Sequence, residues 1–108
     1  MHIEVEGHHT EILPRWRSLI ESKLAKFERY PNEITHARVT ITHNPHHQVG
    51  DNQVQVVLFV SGRALTVKKS GAQIPTVLRA ALIAAGREID TYHNQKIRKR
   101  TPNKSPTA

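Results

Sequence analysis

The chain has 108 residues, with 16 Lys and Arg against 9 Asp and Glu, a formal charge of +7 and a sequence pI near 10.3. That length suits one domain, since a second would have too little chain to bury a core of its own, and the absence of cysteine excludes disulfides, thiol nucleophiles and thiolate metal sites. The longest apolar runs, 54–60 (broken by Gln55) and 80–85, fall far short of the roughly 20 residues that cross a bilayer, and Met1-His2-Ile3-Glu4 has no basic stretch leading into an apolar one; a soluble, cytoplasmic protein is expected.

Residues 2–6 alternate Ile3 and Val5 with polar neighbours and read as a strand ended by Gly7. Pro14 then opens a helix, because its missing N–H is no loss in a first turn. Trp16, Leu19, Ile20, Leu24 and Phe27 form one apolar stripe, and the helix is expected to reach Tyr30 before Pro31-Asn32 stops it. Neither Leu13 nor Thr10 is a convincing N-cap. Arg15, Ser22, Lys26 and Arg29 stand on one flank of the stripe, with Lys23 at its edge, while Glu21, Glu28 and Arg17 stand on the other. This segregation marks one side of the helix as facing an anion.

Residues 34–43 predict a second strand, with Ala37, Val39 and Ile41 inward and His36, Arg38, Thr40 and Thr42 outward. A polar, turn-rich loop over 43–52 leads into a third strand over 53–61, inward at Val54, Val56, Leu58 and Val60. Ser61-Gly62 is a hairpin signal, a fourth strand covers 63–68, and 68–73 reads as an exposed loop. Pro75 opens a second helix to about Lys99, carrying Leu78, Ala81, Leu82, Ala85, Ile89 and Tyr92 at helical spacing. Gly86 weakens it by about 1 kcal/mol relative to Ala, which points either to a close contact there or to simple tolerance. The domain spans residues 1–100, and Thr101–Ala108, with two prolines, reads as a short disordered tail.

The order is β-α-β-β-β-α. It predicts an α+β fold: a four-stranded mixed sheet, its first two strands parallel, with both helices packed on one face and the other face open. Trp16, Leu24, Phe27, Leu82 and Ile89 are assigned to the core. A helix from Pro75 to Lys99 is about 37 Å long against roughly 20 Å for the strands, so its last turns run past the sheet.

Charge is divided unevenly along the chain. Residues 1–62 hold six basic and seven acidic residues, whereas 63–108 hold ten basic residues and only Glu88 and Asp90. A positive C-terminal half with this pI points to a polyanion, and nucleic acid is the commonest one in the cytoplasm.

Gly7-His8-His9, the run Ile20-Glu21-Ser22-Lys23-Leu24-Ala25-Lys26-Phe27-Glu28-Arg29, the strand end Val60-Ser61-Gly62 and the element order together resemble the ribosome hibernation-promoting factor family, also called ribosome-associated inhibitor or ribosomal subunit interface protein. The resemblance covers about residues 1–100. It implies a non-catalytic stress factor that occupies the mRNA and tRNA channel of the small ribosomal subunit and blocks translation, with no cofactor and no membrane or small-molecule partner. Matching the family's basic residues are Lys23, Lys26 and Arg29 in the first helix and Arg87 in the second. Two departures stand out. Asp90-Thr91-Tyr92-His93 occupies the place of a lysine-rich run, and the basic run comes later, at Lys96, Arg98, Lys99 and Arg100; Lys68-Lys69-Ser70-Gly71-Ala72-Gln73 replaces an acidic, tyrosine-containing entry to the helix. The resemblance is to the short form of the family, so no C-terminal dimerisation domain is expected, and the protein is expected to be a monomer off the ribosome.

The residues expected to pair with rRNA phosphates are therefore Lys23, Lys26, Arg29, Arg87, Lys96, Arg98, Lys99 and Arg100, with Lys68, Lys69 and Arg79 in a second tier. Three other readings compete. His43, His46 and His47 share a loop, but a loop with Asn44-Pro45 and Gly50 lacks the rigidity a zinc site needs, so no metal is expected. A ribosome-dependent mRNA endonuclease would draw on His93, Tyr92, Arg87 and the late basic run, whose spacing matches no catalytic arrangement. A generic structured-RNA module remains open, although Phe59 is the single aromatic in the predicted strands, too few for a base-stacking sheet.

Overall fold

The first strand, β1 (His2–His8), runs parallel to β2 (Ile34–His43) in the computed structural model, which describes residues 2–29, 34–43 and 52–100, the side chains of 28, 29 and 96–100 excepted. β3 (Asn52–Val60) and β4 (Arg63–Gly71) follow, each antiparallel to the strand before it, in the sheet order β1-β2-β3-β4. α1 (Pro14–Ala25) sits between β1 and β2 in the chain, and α2 (Ile74–Arg100) comes last. The β-α-β-β-β-α order, the mixed four-stranded sheet and the two helices are those expected from the sequence.

Alternation explains how the sheet builds its core. Ala37, Val39 and Ile41 of β2 pair with Leu58, Val56 and Val54 of β3, and Leu65 and Val67 of β4 extend the same face. Trp16, Ile20, Leu24 and Phe27 from the α1 side and Leu78, Leu82, Ala85 and Ile89 from α2 close over it, and the five residues assigned to the core from sequence are all buried. At roughly 1.5–3 kcal/mol for each large apolar side chain taken out of water, this one-sided burial supplies most of the gross stabilisation. The opposite face carries Glu4, Arg38, Thr40, Gln55 and Thr66, none of them buried. Ile34 pairs with Val60 and His36 with Phe59, so Thr35 is an extra residue, a bulge that keeps Ile34 on the core face.

Several boundaries differ from those the sequence predicts. β1 does not end at Gly7 but continues to His8, because Gly7 pairs with Ile41 and is needed for another reason: a Cβ there would collide with the Thr10 carbonyl. The chain turns instead at His9, whose φ is +62°. The α-helical part of the first helix stops at Ala25 rather than Tyr30, and Lys26–Arg29 continue as a 3₁₀ turn, the tighter winding with which helices often satisfy their last carbonyls. β3 starts and ends one residue earlier than expected, over Asn52–Val60.

The largest correction concerns residues 68–73. Lys68, Lys69 and Ser70 are not loop residues; they are in β4 opposite Gln55, Val54 and Gln53, because β3 begins early enough to offer them a partner. The connection to α2 then needs only Ala72 and Gln73. Gln73 starts the helix by accepting a hydrogen bond from the Val77 N–H at 3.0 Å. Buried Asn52 braces this corner: its Nδ2 donates to the Ala72 carbonyl at 2.8 Å and its Oδ1 accepts from His43 Nδ1 at 2.7 Å. His43 is thereby a structural side chain, while His46 and His47 lie outside the described residues, as does the tail 101–108.

Candidate nucleic-acid interface

α1 and α2 run side by side in the same direction. Arg15 and Leu19 near the start of α1 share a groove with Pro75 and Arg79 near the start of α2. Further along, the Phe27 ring after α1 meets Gly86 of α2, where a Cβ would lie 3.3 Å from Phe27 Cε1. Of the two explanations for Gly86 the structure selects the close contact: glycine lets the helices approach at this point.

This pairing decides where the cations go. Arg15 and Ser22 fall within about 20° of each other around α1, Lys26 follows at its C-cap, and the groove against α2 takes in Arg15, Ser22 and Arg79. Lys26, Arg79 and Arg87 are exposed and Lys23 is half-buried at the edge of the apolar stripe. Ile83, 53% exposed, stands four residues from each of Arg79 and Arg87, so the outer stripe of α2 alternates cation and aliphatic. The backbone of Arg29 completes the 3₁₀ turn, and Lys96, Arg98, Lys99 and Arg100 occupy the last turns of α2; the side chains of these five lie outside the described residues. Arg15 is the residue that sequence reasoning left out of the contact set, although its place on the same flank as Ser22 and Lys26 was the signal for it.

The two lysines of β4 separate. Lys69 pairs with Val54 and so is on the helix-bearing side, beside Thr76 and Ala80 of α2. Lys68 pairs with Gln55 and lies on the open face of the sheet.

On that open face Arg38 has a carboxylate partner, whereas Lys68 has none among the described residues. Arg38 Nε donates to Glu4 Oε1 at 3.0 Å, His2 Nε2 is 3.7 Å from Glu4 Oε2, and His8 Nε2 is 3.8 Å from Glu6 Oε1. The Arg38 hydrogen bond holds the Glu4 carboxyl below its ordinary value, against the opposing effect of desolvation and with help from the charges of Arg38, His2 and His36. Phe59 stacks on His36 at 4.0 Å between ring centres, with the Arg38 guanidinium 6.0 Å from the Phe59 ring. On the helix side, by contrast, none of Lys26, Arg15, Arg79 and Arg87 has a carboxylate partner among the described residues.

The segment Asp90–His93, placed where a basic run was expected, has a structural task. Tyr92 donates its hydroxyl hydrogen to the Ser61 carbonyl at 3.4 Å and lies under the Arg63 guanidinium at 5.1 Å, while Arg63 Nη2 donates to Gln95 Oε1 at 3.4 Å. These contacts pin α2 to the β3–β4 hairpin at Ser61-Gly62, where Gly62 has φ +86°.

The molecule is thus an α+β domain with two parallel helices that present cations without carboxylate partners among the described residues, and a sheet face on which Arg38 is paired with Glu4. It belongs to the Sigma 54 modulation protein / S30EA ribosomal protein family, which matches residues 3–97. The chain is 26% identical over 98 residues to a ribosome hibernation promotion factor of Deinococcus radiodurans; the match takes in 90% of this chain and 51% of that protein, so the chain spans about half the length of this curated relative. Its fold is similar to that of a ribosomal subunit interface protein from Coxiella burnetii (TM-score 0.74, 18% identity, 87% of this chain and 99% of that one). It is also similar to the N-terminal domain of Thermus thermophilus Protein Y (TM-score 0.72, 19% identity, 85% and 99%). No helix among the described residues is long and apolar enough to cross a membrane.

Proposed function

We propose that this domain is a non-catalytic hibernation factor that docks its helix face on the rRNA of the small ribosomal subunit, occupies the channel for mRNA and tRNA, and so inhibits translation. One observation carries the reading: exposed Lys26, Arg79 and Arg87 stand on two parallel helices, with Arg15 beside them, and have no carboxylate partners among the described residues. Backbone recognition by shape and charge needs such a surface and no base-reading aromatics. Its place in the S30EA family and its likeness to a hibernation promotion factor support the choice of the ribosome as the polyanion.

The proposed phosphate partners are Lys23, Lys26, Arg29, Arg79, Arg87, Lys69 and the Lys96, Arg98, Lys99 and Arg100 run, each a charge-assisted donor. Lys68, on the far side of the sheet, is left out of the set. With about six phosphates neutralised, affinity falls about a thousandfold between roughly 50 and 200 mM salt. The test is sedimentation with purified small subunits, with and without initiator tRNA and mRNA. Displacement of the protein by the two ligands is expected; a complex holding all three at once contradicts channel occupancy.

A further inference from the structure

The groove between α1 and α2 is more than a gap in a basic surface. It has a volume of about 460 Å³, within the range of roughly 300–1,000 Å³ typical of ligand pockets. Arg15 and Arg79, from different helices, line it together with Ser18 and Ser22, and no acidic residue does among the described residues. Two exposed like charges bordering one groove raise the positive potential there, which attracts an anion.

The backbone adds to the same field. Because the helices are parallel, both N-termini open at this end; neither has an acidic residue in its first turn, and Leu13 gives α1 no side-chain cap. Both helix dipoles therefore present their positive ends near the groove. The groove wall also includes Trp16, which is only 8% exposed and whose buried indole Nε1 has no hydrogen-bond partner among the described residues.

We infer that this groove is a phosphate-binding site in which Arg15 and Arg79 clamp one phosphate group from opposite helices, with Ser22 as a neutral donor beside them. Paired forks suit the geometry of phosphate oxygens better than ammonium groups do. The inference rests on the proposed RNA-binding role for the source of that phosphate, the RNA backbone. It goes beyond that role in assigning one site between the helices and in adding Arg15, which the sequence-level contact set omits.

Trp16 makes the test local, since it is the single tryptophan of the chain and lines the groove. Its indole N–H resonance is followed in the intact protein during titration with a short RNA duplex and, separately, with inorganic phosphate. RNA is expected to move the resonance, and R15A/R79A to raise the concentration required by at least about tenfold, with R15K/R79K in between. A response to inorganic phosphate but not to RNA, lost in R15A/R79A, upholds the site and assigns it to a free phosphate compound. An indole indifferent to both ligands overturns the site. If backbone amides of Lys26 and Arg87 still shift with RNA in that case, the proposed function stands without it; if nothing shifts and small subunits are not bound either, the function falls as well.

Discussion

The open face of the sheet and the helix layer on its other side are both exposed and polar, and they differ in how they treat charge. On the open face Glu4 holds Arg38 at 3.0 Å, Glu6 stands 3.8 Å from His8, and His36 and Phe59 stack on each other. On the helix-bearing side Arg15, Lys26, Arg79 and Arg87 have no carboxylate partner among the described residues, and Arg15 and Arg79 share a groove. Exposed ion pairs contribute little to stability, so the Arg38–Glu4 pair on the open face is best understood as neutralisation: it leaves Lys68 as the cation without a carboxylate partner on that side among the described residues and so weakens the field there. The opposite side keeps its field by leaving its cations unpaired. A partner of negative charge is thus oriented as well as attracted.

The comparison breaks first if the plate that carries the helices is loosened. Leu24, completely buried beneath α1, is expected to cost about 2–5 kcal/mol when changed to Ala, whereas Thr66→Ala on the open face stays within about 0.5 kcal/mol; urea denaturation measures both. Next comes the spacing of the two helices. Gly86→Val pushes methyl groups into a contact where even a Cβ would sit 3.3 Å from the Phe27 ring, and overpacking of this kind costs about 1–3 kcal/mol. The distinctive expectation is that RNA affinity falls in the fraction that remains folded, because the cations of α1 and α2 are moved apart.

The smallest effect belongs to the open face. The Glu4 pKa is depressed in the folded state, chiefly by the Arg38 hydrogen bond, so the pair stabilises the fold above the ordinary carboxylate value of 4.5 and loses that contribution as the pH falls through the lowered folded value. Thermal midpoints of Glu4→Gln and the unaltered protein are expected to differ slightly at neutral pH and to converge below 4.5. RNA affinity at neutral pH should be the same for both, since Glu4 faces away from the helices.

Much of this was legible along the chain. Alternation in β2 and β3 and the apolar stripes of α1 and α2 report a core with one covered face, because periods of 2 and 3.6 are direct consequences of backbone geometry. Lys68 and Lys69 were misread as a loop because Lys-Lys-Ser-Gly has turn composition, and only the register with Asn52–Val54 shows that a partner strand is there to pair with them. Gly7 looked like the end of a strand for the same reason, although its role is to admit the Thr10 carbonyl. The charged groove was legible in part. Arg15, Ser22 and Lys26 read as one flank of a helix, but the meeting of Arg15 and Ser22 with Arg79 in one groove depends on how two helices about 60 residues apart are placed, which no local pattern encodes.

The central claim is that position, not net charge, makes the helix face the binding face, and paired neutralisations test it most directly. Lys26→Gln with Arg79→Gln and Arg38→Gln with Lys68→Gln each remove two positive charges, from opposite sides of the same sheet. Affinity for small ribosomal subunits is measured across a salt series for both. The helix-face pair is predicted to weaken binding at least about tenfold and to lower the salt slope by about 2, and the sheet-face pair to stay within about twofold of the unaltered protein. Equal losses in the two variants would contradict the account.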